Sequence, residues 1–554
     1  MKKRFIFLFL LGTVALASCK KNNFLNLNPL SSISPENFFS SEADLQLYCN
    51  QYYANLPVEY FAETDDNSDD KANITLNTFL ADTYTIPTSA NGTGWNFSNI
   101  RTYNFFLANY QKANLGDSIE NIYVGETLFF RALNYFQLVQ QYGDVPYIDK
   151  YIVDTTTTAL YSAKTPHKQV MDSVLSDIDF AVAHLPSPSQ AASGRLNMYQ
   201  ALALKARICL WEGTYREYWQ VGDQATYLQA AADAAEQIMS SGLYSIYTTG
   251  NPQTDYYNLF VQYHLDNNPE AIMAQLQSAN VLMNNDDRNL GQYGDGYSKA
   301  FVRSFLCTDG LPTALSPLYK GDDSLQQEIV NRDPRFRQSI ATRGFDFLGT
   351  DTITLPRIGT NVTSTGYEPI KGRTGNIADW NASQSVLEHF IFRYAETLLI
   401  EAEARAELGT CTQGTLDSTV NKLRDRVGMP HMVIASLVKD PNSYFPALPV
   451  LIDEIRRERR VELSAEGFRY NDLQRWHAGT LINNPEAILG IKLLPAVMAQ
   501  YPQSQVSSIV VNPSNYVEVY PSMTNLTWSD KMYLNPIPIE ELTLNPKLTQ
   551  NPGW

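Results

Sequence analysis

Residues 125–146 read GETLFFRALNYFQLVQQYGDVP. Leu128, Phe129, Ala132, Leu133, Phe136 and Val139 recur at steps of one, three and four, the spacing that gathers apolar side chains on one face of an α-helix. Gly143 and Pro146 end the pattern: glycine readily takes the left-handed conformation that closes a helix, and proline cannot continue one. The stretch therefore predicts an amphipathic helix with a sharp stop. The same period returns at 96–113, 167–185, 198–212, 225–241, 388–408, 413–427 and 449–466, which read as successive helix-turn-helix pairs. Ala231, Ala232, Ala234 and Ala235 are small enough to let neighbouring helices approach closely. The expected fold class is mainly α, with tetratricopeptide-like helical pairs packed against a loop-rich region in a superhelix, although no strict repeat period runs through the chain.

Between 251 and 385, and again from 479 to 554, the pattern gives way to short runs broken by Gly, Pro, Asn and Asp, which predict loops. Loops carried on a rigid frame are where recognition residues concentrate, and the loop from Thr83 to Asn99 joins them.

The N-terminus has its own logic. Lys2, Lys3 and Arg4 precede an uncharged run of 13 residues from Phe5 to Ala17, and Leu16-Ala17-Ser18-Cys19 follows as a cleavage site. That run suits the apolar core of a signal peptide and is short of the ~20 residues that span a bilayer. The reading is a bacterial lipoprotein signal at 1–18, lipidation of Cys19 and a tether over 19–40; the alternative is an ordinary secretory signal followed by a chance cysteine. Several acyl chains on one cysteine make a lasting anchor where one is marginal. The remaining domain, 41–554, divides into a helical frame at 41–250 and 386–478 and a loop-rich part at 251–385 and 479–554.

The net charge of −16 repels phosphate backbones, so a nucleic-acid partner is not expected. Only 18% of residues are charged while Tyr (33), Phe (25) and Trp (7) are plentiful, a composition that suits uncharged polar ligands through aromatic faces and amide hydrogen bonds. Most of those aromatics must nonetheless fill a core. Cys49, Cys209, Cys307 and Cys411 form no CxxC pair; a disulfide is open among them, and Cys209 reads as a buried thiol.

Chemistry leaves few traces. The six histidines have no HExxH or HxH spacing, and no GxSxG elbow, P-loop or GxGxxG occurs, so the chain is not expected to be an enzyme; a carboxylate pair assembled in space stays open. The charged run Glu454 to Glu462, followed by Glu466, Arg469, Asp472 and Arg475, reads as an ion network locking helices, with Glu454–Arg457 and Arg459–Glu462 pairing three apart. Arg332-Asp333-Pro334-Arg335 reads as a turn with a local ion pair. Glu63 to Asp70 carries oxygens suited to calcium but lacks the glycine and distal glutamate of an EF-hand, so it reads as a solvated acidic loop, with a structural calcium left open and no other cofactor or metal expected.

Several segments taken together resemble the SusD/RagB family of outer-membrane nutrient-binding lipoproteins. They are Ile100-Arg101-Thr102-Tyr103-Asn104, the opening stretch at 125–146, RLNMYQALALKARICLWEG at 195–213 and NRDPR at 331–335. FRYAETLLIEAEARAELG follows at 392–409, IRRERRVELSAEGFRYNDLQRW at 455–476 and LNPIPIEELTLNPKLTQNPGW at 534–554. The resemblance implies a helical half packed on a loop-rich half, lipid-anchored at the outer membrane and exposed at the cell surface. It further implies a lid on a SusC-like TonB-dependent transporter that captures an oligosaccharide and hands it over, while separate enzymes cut polymers. Peptide capture, as in the RagB branch, is the alternative; a glycoside hydrolase and a pure protein scaffold are the other readings. Lys20-Lys21-Asn22-Asn23 follows Cys19 where surface-exported relatives commonly carry acidic residues.

The family's ligand surface is built from variable loops, so candidates are chosen by chemistry. Trp95 corresponds to a region where relatives carry a sugar-stacking tryptophan, and an indole face over a pyranose is worth ~1 kcal/mol beyond burial by analogy with aromatic pairs. Asp286, Arg288, Tyr293 and Tyr297 form a second candidate set, tyrosines among glycines and amides with a guanidinium able to grip vicinal hydroxyls. Trp380-Asn381 comes third, and Trp211 and Trp476 are left to the core. On this reading, replacing Trp95 and Tyr293 by alanine weakens binding at least tenfold and leaves stability intact.

Overall fold

The computed structural model describes residues 38–153, 161–347, 351–359 and 363–554; Cys19, the predicted signal and most of the predicted tether lie outside them. Six helices build the N-terminal part of the frame: α1 (Glu42–Asn50), α2 (Ser98–Leu107), α3 (Asp117–Tyr142), α4 (His167–His184), α5 (Met198–Tyr218) and α6 (Gln224–Ser240). α3 is the helix read from 125–146, extended by two turns at its start. It stops at Gly143, whose φ of +69° only glycine takes at no steric cost and whose N–H still reaches the Val139 carbonyl at 2.8 Å. α5 begins with a capping box, Asn197 accepting from the backbone of Gln200 while the Gln200 side chain accepts from Asn197 N–H. α3 packs on α4, and α5 on α6. On α5, a Cβ at Gly213 would lie 2.8 Å from Leu228 Cγ of α6, and Ala231, Ala232, Ala234 and Ala235 are fully buried beside it. The small residues therefore set the close approach that the sequence suggests.

Short helices and small sheets make up the loop-rich half, including α7 (Asp286–Leu290) and α8 (Ile377–Trp380). The frame resumes with α9 (Tyr394–Glu407), α10 (Val420–Val427), α11 (Val450–Glu462) and α12 (Arg469–Arg475). One expectation changes here. The helix predicted from 388 starts only at Tyr394, because His389–Arg393 is a strand, β2, antiparallel to β1 (Ala271–Gln275), with Gln275 opposite His389 and Ala271 opposite Arg393. A short run with three apolar residues, Phe390 to Phe392, fits either period, and the free edge of β1 decides it. The C-terminal segment folds back on the end of α3: Asn535 N–H donates to Gln141 O at 2.7 Å and the Asn551 amide to Tyr142 O at 3.0 Å. No helix of the described residues is long and apolar enough to cross a membrane.

Cys49, Cys209 and Cys307 are buried free thiols and Cys411 is a half-buried one. Trp211 and Trp476 lie in the core as expected.

Arginines and carboxylates knit the two halves together. Glu462 of α11 accepts from Arg426 (2.5 Å), Arg393 (2.9 Å) and Arg335 (3.1 Å), all of them buried. Arg335 also pairs with Asp333 at 2.7 Å, the local pair read from the sequence. Glu454 meets Arg457 at 3.3 Å as predicted, but Arg459 does not pair with Glu462; it turns to Asp472 of α12 at 2.9 Å. Glu462 is drawn by three guanidiniums on other elements, which outbid a neighbour on its own helix.

The acidic run is a second correction. Asp69 and Asp70 are buried, not solvated, and face Arg460 and Arg469 at 2.7–2.9 Å. Those guanidiniums take up both Asp69 oxygens and one of Asp70.

Candidate functional site

Segments distant in sequence meet on the surface of the loop-rich half. Asp286, at the start of α7, accepts the backbone N–H groups of Phe61 (3.0 Å) and Ala62 (2.9 Å) and lies 3.0 Å from His389 Nε2. This grip sets Glu63, the next residue, beside Tyr293, whose hydroxyl donates to Glu63 Oε1 at 3.4 Å. Tyr293 is 46% exposed. Burial, and then the Glu63 charge, raise its phenol pKa.

α8 stands against the exit of α7. A Cβ at Gly291 would lie 2.5 Å from the Trp380 ring, so the close approach requires glycine there. Arg288 donates to the Trp380 carbonyl at 3.3 Å with its guanidinium 6.0 Å from the indole centre, and Arg373 lies 5.2 Å from the same ring. Beneath, Asp287 accepts from Thr374 N–H at 2.6 Å, Thr374 Oγ1 lies 3.0 Å from Asp379, and Tyr263 donates to Asp379 at 2.5 Å. Asn376 adds a hydrogen bond to the Tyr263 hydroxyl at 3.3 Å. The result is a shelf of exposed Tyr263, half-buried Trp380 with Arg288 beside it, and exposed Tyr293, on segments held by a hydrogen-bonded underlayer. Such a shelf offers ring faces to C–H surfaces and donors to hydroxyls, the combination that fixes a polar, uncharged ligand.

The sequence candidates divide. Arg288 and Tyr293 stand on the shelf, and Trp380 joins them. Asp286 lies beneath it, 2% exposed, as a backbone anchor and not a ligand contact. Tyr297 is fully buried, stacked 4.5 Å from Phe301 in the core of the loop-rich half, which removes it from the surface. Trp95 is also corrected: it is 4% exposed, and its ring meets Tyr142 (4.9 Å) and Phe97 (5.4 Å) edge to face in the frame core. Tyr263 and Glu63 were not foreseen, because nothing in their local sequence ties them to residues 286–297. Among the described residues no group of three His, Cys, Asp or Glu side chains could hold a metal ion.

Carboxyls in and beside the site titrate abnormally. Burial, then Asp70, pushes Asp65 up to about 7; its Oδ2 is buried without a hydrogen bond. Burial raises Asp287 to about 6 against the Thr374 hydrogen bonds, and burial with Asp66 raises Asp295 to about 6. All three keep a proton in the fold that the unfolded chain releases near its ordinary carboxylate pKa, so the folded state holds more protons through that window and stability falls as pH rises through it. Asp69 behaves oppositely: Arg460 and Arg469 overcome its burial and lower it to about 2, so its contribution is present above the ordinary pKa and lost on acidification. Urea titrations should therefore show greater stability at about pH 5 than at about pH 7.5, by on the order of 1–2 kcal/mol, and a steep loss below about pH 4. Asp65→Asn should flatten the upper limb; a midpoint that climbs steadily to pH 7.5 contradicts the assignment.

Comparison with known proteins places this geometry in context. A family model described as the SusD family matches residues 236–554, and one described as starch-binding associating with outer membrane matches residues 23–210. SusD-like protein P2 of Formosa agariphila is 24% identical over 507 residues, covering 88% of this chain and 93% of the relative. Two solved structures from Bacteroides fragilis share the fold. A SusD-like protein superposes with a TM-score of 0.71 at 23% identity, over 95% of this chain and 100% of its own. A SusD-like carbohydrate binding protein gives 0.72 at 23% identity, over 92% and 100%.

Proposed function

The chain belongs to the SusD family, and we propose on that premise that it is a non-catalytic outer-membrane lipoprotein that captures oligosaccharides and delivers them to a SusC-like TonB-dependent transporter. The observation that carries the reading is the shelf of Tyr263, Trp380 and Tyr293. Its rings are held in place before any ligand arrives, which reduces the ordering cost of binding. Glycan capture is further supported by the starch-binding, outer-membrane description of the N-terminal match and by the carbohydrate-binding relative from B. fragilis. Lipidation at Cys19 would keep the receptor beside its transporter at the cell surface, and cleavage of polymers would fall to other proteins.

The test is a glycan array and a peptide panel on the full chain, followed by calorimetry on the best ligand. Tyr263→Ala with Tyr293→Ala should weaken glycan binding at least about tenfold, since each stacked ring contributes about 1 kcal/mol, and lower stability by only about 1 kcal/mol through the lost Tyr263–Asp379 hydrogen bond. Binding of peptides and no glycan would transfer the reading to peptide capture. Turnover of a labelled polysaccharide would overturn the non-catalytic assignment.

A further inference from the structure

A cavity of about 120 Å³, lined by none of the shelf residues, lies where α3, α5, α9 and α12 meet β2 and the 57–61 segment. That is somewhat less than the ~150 Å³ of a cavity that takes up one benzene, so the space suits a ligand of about six heavy atoms and not a hexose. One wall is apolar, with Leu133, Phe136 and Trp211. The other is charged. Phe468 there has Arg207 and Arg459 near its ring, their guanidinium carbons 5.1 and 5.2 Å from the ring centre.

Two groups on that wall are left over after the ion pairs are assigned. Arg207 holds both Glu396 oxygens at 2.7 Å and the Ile391 carbonyl at 2.8 Å. Arg459 gives its Nε to Asp472 at 2.9 Å and lies 4.0 Å from Glu403, yet its Nη1, on a residue 4% exposed, finds no acceptor among the described residues. At the mouth stands Glu59, whose carboxyl carbon would lie 3.0 Å from a Cβ at Gly467 and which feels the Arg207 charge without a hydrogen bond among the described residues. A buried donor without an acceptor costs about 1–3 kcal/mol, so occupancy by a group that accepts from Arg459 is favoured.

We infer that this cavity binds a small zwitterion of α-amino-acid size, its carboxylate on Arg459, its ammonium on Glu59 and its short side chain against Leu133 and Phe136. A donor without an acceptor and a carboxylate without a hydrogen bond on one wall suit opposite charges on one ligand, and the apolar wall rewards a methyl or methylene group over water alone. The site is distinct from the glycan shelf and stands or falls without it.

Calorimetry of the full chain with L-alanine tests the assignment, with acetate and methylammonium as single-charge probes. L-Alanine should give saturable heat and raise the thermal midpoint, and each single-charge probe should bind at least about tenfold more weakly, since a hydrogen bond to a charged group contributes about 1.5–3 kcal/mol. Glu59→Gln, at the exposed mouth, should lose at least about tenfold in affinity for L-alanine. Gln137→Phe, which fills the space from α3, should abolish binding. Both variants should keep the unliganded thermal midpoint. No saturable heat with L-alanine, acetate binding as tightly as L-alanine, or heat unchanged in both variants would each overturn the proposal.

Discussion

Glu462→Gln should destabilise the protein by about 5 kcal/mol, read as a lower urea midpoint. The residue is fully buried at the centre of a cluster whose cations are Arg335, Arg393, Arg424, Arg426 and Lys371, and whose anions are Asp333, Glu270, Glu458, Glu462 and Glu466. Five positive charges thus face five negative ones. Burial works to raise the Glu462 carboxyl, and Arg426, Arg393 and Arg335 overcome it and hold the group far below the ordinary range. Glutamine keeps the shape but leaves one uncompensated charge in a low-dielectric interior. Breaking one buried pair costs about 3–5 kcal/mol, and three guanidiniums share this carboxylate, which puts the loss at the upper end. Adding Arg426→Met to Glu462→Gln should cost less than the sum of the two single changes, because charge balance returns. A single-variant loss under about 1 kcal/mol would show that the cluster is hydrated and not sealed.

The same cluster marks where sequence reading stops. α3, α5 and α6 are legible because a helix writes its buried face into neighbouring residues, and the Gly143 stop and the Ala231–Ala235 contact face are local signals. The core positions of Cys209, Trp211 and Trp476 follow from that period. Charges on 454–462 were visibly a network, but their partners were not: Arg426 and Glu270 stand 156 positions apart, and Asp69 and Arg469 stand 400 apart. An acidic run facing solvent and one facing buried arginines have the same sequence. β2 was misread for a related reason, since the edge it pairs with, β1, lies far upstream. The shelf was half legible: Arg288 and Tyr293 share one loop with chemistry suited to a ligand, whereas Tyr263 and Glu63 reach it only through hydrogen bonds to Asp379 and Tyr293.

Trp95→Ala should lower stability by about 3–5 kcal/mol, the range for emptying a core of a large aromatic side chain, and leave glycan affinity unchanged. Its indole is packed edge to face by Tyr142 and Phe97, and the turn before it is equally constrained: a Cβ at Gly94 would come within 2.1 Å of the Gln141 side chain, and the Tyr142 hydroxyl donates to Thr93 O at 2.5 Å. The loop cannot collapse into the vacated space without breaking its hold on the end of α3, so little of the cavity cost is recovered. Tyr293→Ala should behave in the opposite way, losing ligand and keeping the urea midpoint, because nearly half of its surface is exposed and its sole hydroxyl partner among the described residues is Glu63 at 3.4 Å. The pair of variants separates two roles that one residue type can play in one chain: an aromatic that carries binding must show a ring face to solvent, and one that carries stability must hide both. If Trp95→Ala lost glycan affinity at an unchanged midpoint, the indole would have to swing out of the core to meet the ligand, and the shelf would no longer describe the binding surface.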